Sequence, residues 1–91
     1  MEKSNKEDNV IYIGKKPIKN YNFVINKKLS QNKEVIIATR GRLTEKAINI
    51  ASFLEHIGKV KIREVKISGN KITSEDKERF IPEIHITLIK K

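Results

Sequence analysis

The chain has no cysteine. This excludes disulfides, structural zinc of the cysteine type and thiol catalysis, and it leaves the redox compartment unreadable from composition. It also lacks the run of about eighteen apolar residues that a membrane helix needs, and its start, MEKSNKEDN, is polar with no apolar stretch behind it. Neither a transmembrane segment nor a secretory signal is therefore expected, and the protein reads as intracellular. Acidic residues are missing from one long stretch: between Val10 and Lys33 there is no Asp or Glu, whereas Lys15, Lys16, Lys19, Lys27, Lys28 and Lys33 all lie there. No internal repeat is present. Catalytic patterns are absent as well, since no serine sits in a nucleophile elbow and the acids are scattered. The two histidines, His56 and His85, fall in different elements without metal-ligand spacing. A protein that is not an enzyme, with no metal and no cofactor, is the expectation.

What is present is positive charge. Twenty Lys and Arg against eleven Asp and Glu leave a formal +9 on 91 residues, a statement about partners rather than fold, and the partner it suggests is a polyanion. A chain of this length supports one domain with a single core and little stability to spare.

Residues 1–9 mix both charge signs and have no apolar residue after Met1, so they are expected to form a mobile tail outside a domain spanning 10–91. Val10 to Ile13 is a β-branched and aromatic run ending at Gly14, as in a strand. Pro17 suits the first position of a helix, and Ile18, Tyr21, Val24, Ile25 and Leu29 recur at helical spacing to about Ser30. Glu34 to Ala38 is a nearly continuous apolar run and reads as a second strand. Thr44 is a plausible N-cap for a helix that carries Ala47, Ile50, Ala51, Leu54 and Ile57 on one stripe, with Ile48 and Phe53 beside it and Gly58 as its stop.

From Lys59 the period becomes two. Val60 and Ile62 are followed by Val65 and Ile67 one residue out of phase, which predicts a bulge near Arg63 and Glu64. Ile84, Ile86 and Leu88 form a last strand. Between these strands lies SGNKITSEDKERF, thirteen polar-biased residues, which reads as a long loop because ordinary hairpin loops have about two to five. The order is β-α-β-α-β-β, of the α/β or α+β class, with a mixed sheet, a parallel first passage and an antiparallel final pair. Tyr12, Tyr21, Phe23 and Phe53 fit core spacing, and Phe80 is the exception.

Two strand-to-helix corners concentrate the charge. Gly14-Lys15-Lys16-Pro17 has one glycine, a proline without an N–H and no following hydroxyl, so it is not a nucleotide phosphate loop. It remains a helix start bearing two ammonium groups, suited to a backbone phosphate. Arg40-Gly41-Arg42, followed by Lys46 in the first helical turn, repeats the arrangement, and Lys46 joins these residues as an expected nucleic-acid contact. Parallel strands would bring both corners to one sheet edge, where cations oppose the helix dipoles unless an anion is expected. The long segment carries Lys71, Lys77 and Arg79, which can reach phosphates or a minor groove, against Glu75, Asp76 and Glu78.

IYIGKKPIKNY, EVIIATRGRLTEKAINIA and EIHITLIKK resemble the Alba family of archaeal chromatin proteins, and the resemblance covers residues 10–91. It implies a two-layer β-α-β-α-β-β fold with an extended hairpin arm, a homodimer, and sequence-tolerant binding of double-stranded DNA and also RNA, with DNA condensation on a cytoplasmic nucleoid. It places Lys15, Lys16, Arg40, Arg42 and, on the arm, Lys71, Lys77 and Arg79 at the nucleic acid. It makes Lys15 the candidate acetylation site, with an acetyltransferase and a deacetylase as partners. The alternative is an RNA-specific subunit of a ribonucleoprotein such as a tRNA-processing complex. Two departures stand out: the Phe-Leu-Pro segment through which family dimers associate along DNA is missing at EHIGKVKI, and the arm is acidic in its middle, SEDKE.

Overall fold

The computed structural model describes residues 9–91. The expected tail thus lies, but for Asn9, outside the described residues; Asn9 itself joins the sheet, its carbonyl accepting the Ile36 N–H at 2.8 Å. The elements run β1 (Val10–Tyr12), α1 (Ile18–Gln31), β2 (Glu34–Arg40), a 3-10 turn (Gly41–Leu43), α2 (Thr44–His56), β3 (Val60–Ser74) and β4 (Lys77–Lys90). The sheet order is β1-β2-β4-β3, with β1 parallel to β2 and the other pairs antiparallel. The mixed sheet and the β-α-β-α-β-β order are those read from the sequence.

Alternation along the strands decides where the core sits. Ile11, Val35, Ile37, Ile84, Ile86 and Leu88 point to one face, where Tyr21, Ile25 and Leu29 of α1 and Ala47, Ile50, Ala51 and Leu54 of α2 cover them in one continuous cluster. Full burial of an Ile or Leu side chain contributes about 1.5–3 kcal/mol, so this layer holds most of the stability. The Ile62/Glu64 register shift leaves Arg63 bulged and returns Val65 and Ile67 to the face of Val60 and Ile62. Glu55 at the end of α2 accepts the Ile62 N–H at 3.1 Å, tying the helix to the outer strand.

Four local readings need correction. Pro17 precedes α1 rather than opening it: its ψ of 152° is extended, and the helix begins at Ile18. Thr44 is the first residue of α2, not its cap, because the Gly41–Leu43 turn precedes it and the Thr44 hydroxyl donates back to the Gly41 carbonyl at 2.8 Å. Three of the four aromatics expected in the core are outside it: Tyr21 is buried, while Tyr12, Phe23 and Phe53 are exposed, as is Phe80, the expected exception. Ile57, expected on the buried stripe, is also exposed, since α2 ends before it and Gly58 at φ +82° turns the chain away.

The largest correction concerns residues 68–80. They are not a loop: β3 and β4 continue past the body as a two-stranded arm, paired from Ser68↔Glu83 to Ser74↔Lys77 and closed by Glu75 and Asp76, with Glu75 at φ 54°. Seven further pairs at about 3.3 Å each project roughly 20 Å. The Cα radius of gyration, 14.3 Å, accordingly exceeds the roughly 12 Å of a compact domain of this length. Polar composition hid the strands because neither side of the ribbon is buried. Gly69 is where the ribbon needs glycine: a Cβ there would stand 2.3 Å from Cζ of Phe80, whose ring lies across it. Pro82 falls one residue past the last β2–β4 pair, Arg40↔Glu83, where one side of β4 is open to solvent and a missing N–H costs no sheet bond there.

Candidate nucleic-acid interface

Because β1 and β2 are parallel neighbours, their C-terminal ends share an edge. The Ile13 N–H extends the ladder to the Ala38 carbonyl at 2.8 Å, and two residues beyond each of these the charged corners begin. Lys15, Lys16, Arg40 and Arg42 are all exposed. The corners are physically linked: Lys46, from the first turn of α2, reaches back to donate to the carbonyls of Gly14, at 2.7 Å, and of Lys16. No side chain caps α1, and its first turn contains no acid; the first turn of α2 carries Glu45. The start of α1 is thus a dipole end surrounded by ammonium groups without local compensation.

Not every expected cation is equally available. Among the described residues, Lys15, Lys16, Arg42, Lys77 and Arg79 form no ion pair, whereas Lys71 meets Glu78 at 3.2 Å. That pair is well exposed and is worth about 0–1 kcal/mol, easily exchanged for a phosphate. Arg40 stands opposite Glu83 in the β2–β4 register. Glu83 in turn accepts a hydrogen bond from His85 Nε2 at 2.8 Å, which holds its carboxyl below the usual carboxylate range; the charges of His85 and Arg40 act in the same direction, and partial desolvation opposes them. Glu83 therefore stays ionised beside Arg40 and offsets part of its charge. Lys46 is the least available, because its ammonium is engaged with two carbonyls and lies 5.1 Å from the Tyr21 ring centroid, a cation–π contact of about 0.5–1 kcal/mol.

The arm is continuous with this edge. Gly41, at φ +70°, brings its backbone beside Ile81 at the root of the arm, where an added Cβ would meet Cγ2 of Ile81 at 3.9 Å. The corner cations and the arm cations Lys71, Lys77 and Arg79 thus belong to one connected part of the molecule.

Helical spacing marks Tyr21 as a core position only, yet its side chain also supports the Gly14–Lys16 corner. Its hydroxyl accepts the Gly14 N–H at 2.7 Å and the Lys16 N–H at 3.3 Å. The signal was available in principle: a tyrosine on a buried helical stripe needs a partner for its oxygen. Among the described residues no group of three or more His, Asp or Glu converges as a metal site would require.

The fold is matched by known proteins. The Alba family model matches residues 9–74. The chain belongs to the Alba family. It is 32% identical over 85 residues to a DNA/RNA-binding protein Alba of Thermoplasma acidophilum, covering 90% of this chain and 96% of the relative. A DNA/RNA-binding protein Alba of Picrophilus torridus is 34% identical over 86 residues, with the same coverage. Among solved structures, Alba from Thermoplasma volcanium superposes with a TM-score of 0.77 at 29% identity, over 90% of this chain and all of that one. ALBA1 from Trypanosoma brucei superposes with a TM-score of 0.78 over 90% of this chain and 68% of that chain; at 17% identity it bears on the fold alone.

Proposed function

We propose that this Alba-family chain is a homodimeric nucleic-acid-binding protein that coats and compacts double-stranded DNA on the nucleoid without strong sequence preference, and that also binds RNA. The observation that carries the reading is the convergence of the two basic corners at one sheet edge, with Lys15, Lys16 and Arg42 unneutralised by any described acid and with the arm that bears Lys77 and Arg79 rooted beside them. The names of the relatives, DNA/RNA-binding proteins, agree with it. These side chains are long and exposed and fit phosphates, contacts that fix position and carry little sequence information. The role is binding rather than catalysis.

A second copy is the natural cover for the apolar face left open where α2 meets β3 and β4. Ile48, Val65 and Ile67 are exposed there, next to Ala51, Ile84 and Ile86, around a groove of about 300 Å³. A soluble monomer seldom leaves such a cluster uncovered. Lys15 is exposed and therefore open to acetylation, which would remove one phosphate-facing charge.

Three to five phosphate contacts per protomer give a dimer a slope of log K against log salt of roughly −5 to −9. A titration with duplex DNA of mixed sequence measures it, and a slope near zero would overturn the reading. Competition among duplex DNA, duplex RNA and a folded RNA at one stated salt concentration separates sequence-tolerant DNA coating from a dedicated RNA subunit.

A further inference from the structure

Three groups that the sequence assigns to unrelated tasks meet beneath the Gly14–Lys16 loop. The Tyr21 hydroxyl accepts the N–H groups of Gly14, at 2.7 Å, and Lys16, at 3.3 Å. The Lys46 ammonium donates to the carbonyls of the same two residues, 2.7 Å from that of Gly14, and sits against the Tyr21 ring. The backbone on either side of Lys15 is therefore held at both its donors and its acceptors. Glycine at position 14 eases this approach, since a Cβ there would stand a tight 3.2 Å from the Tyr21 oxygen. An ammonium has three N–H donors. Two of those of Lys46 are engaged, and the aromatic face occupies another side.

We propose that Lys46 is a positioning residue: together with Tyr21 it clamps the loop so that the Lys15 and Lys16 side chains project toward phosphate, and it does not itself bind nucleic acid. The physical case is one of preorganisation. Two adjacent lysines on an unsupported loop, with no acid nearby, would repel each other and sample many backbone states, and ordering them would weaken each phosphate contact. Anchoring four backbone groups from below removes that loss before the ligand arrives. The carbonyl oxygens also absorb the charge of Lys46, so a third cation can sit under the pair without a counter-ion. The inference rests on the proposed nucleic-acid interface, and the experiment separates the two.

The first measurement needs no nucleic acid. In the free protein, Lys46→Met and Tyr21→Phe should each speed amide hydrogen exchange at Gly14 and Lys16 by about fivefold or more, while Ile50 and Leu54 within α2 keep their rates. Unchanged exchange at Gly14 and Lys16, or equal acceleration everywhere, would overturn the clamp. The second measurement is a double-mutant cycle on a mixed-sequence DNA duplex. Lys46→Met should weaken binding about fivefold in the wild-type background and less than about twofold when Lys15 and Lys16 are already Ala, because it acts through them. Equal losses in both backgrounds would make Lys46 an independent phosphate contact and overturn the proposal. Tyr21→Phe changes no charge, yet should weaken binding about threefold, by the same preorganisation; unaltered affinity would count against it. Should Lys46→Met fail to fold, Tyr21→Phe carries both measurements. A wild-type protein that ignores duplex nucleic acid would sink the interface reading, and the exchange rates would still decide the clamp.

Discussion

Within the body, β4 runs between β2 and β3 and buries Ile84, Ile86 and Leu88; at its other end the same strand has one neighbour, and every residue from Asn70 to Phe80 is exposed. The body is held by side chains packed under two helices. The arm is held by ladder hydrogen bonds, the Lys71–Glu78 pair and the Phe80 ring lying across Gly69. Stability and reach are thus separated along one pair of strands. The body can carry a charged edge rigidly, and the arm can bend to a ligand without exposing any core.

The comparison breaks first at the core. Ile37 is fully buried, and Ile37→Ala should lower unfolding free energy by about 2–5 kcal/mol. Chemical denaturation checks it, and a loss below about 1 kcal/mol would mean that the body is not the seat of stability. Replacing Lys77 and Arg79 together by Ala should do the reverse. Stability should stay within about 0.5 kcal/mol, while the salt slope of duplex binding flattens by about 1.8 for each protomer. An unaltered slope would remove the arm from the interface.

A finer test lies inside the arm. Phe80→Ser leaves Gly69 uncovered and should cost about 0.2–1 kcal/mol, felt as faster exchange of arm amides with the body unaffected; protection unchanged along the whole arm would show that the ring contributes nothing to it. The smallest effect belongs to the junction. Glu83 has a carboxyl held below its ordinary range by His85, so its contribution to stability is complete above the unfolded-state value and is lost as pH falls through the lower, folded-state one. Thermal midpoints followed from neutral pH downward should therefore fall more steeply for the wild type than for Glu83→Gln below about pH 5. Parallel curves would show that the His85–Glu83 contact adds nothing.

Much of the fold was legible because its periodicities are long and unmixed. The stripes of α1 and α2, the apolar run of β2, the phase slip at Arg63 and the stop at Gly58 all leave marks in the order of residues. Element boundaries at the corners were not legible. Whether Thr44 caps or begins α2 depends on the turn at Gly41, and a 3-10 turn of three residues has no period to detect. The arm escaped the pattern reading for a different reason: with both faces in solvent it shows no apolar alternation, and it emerged only through resemblance to the Alba family. Of the candidate site, charge and spacing pointed to Lys15, Lys16, Arg40 and Arg42, all of them exposed. They did not distinguish exposed Lys15 and Lys16 from engaged Lys46, since all three are lysines at helix starts.

By itself the sequence determined the sign of the net charge, the element order and the positions of the charged corners, because composition and hydrophobic period are properties of the residues and their order. Tertiary structure alone decided which cations are available and what supports them. Lys46 lies 30 residues from Lys16 and 25 from Tyr21 in the chain, and only the parallel placement of β1 beside β2 brings its ammonium to the Gly14 and Lys16 carbonyls. The same packing seats Tyr21 in the core with its hydroxyl aimed at that loop. Hydrogen bonds between residues so far apart leave no periodic trace in residue order, and they form only once burial of the sheet's helix-covered face has set both helices in place.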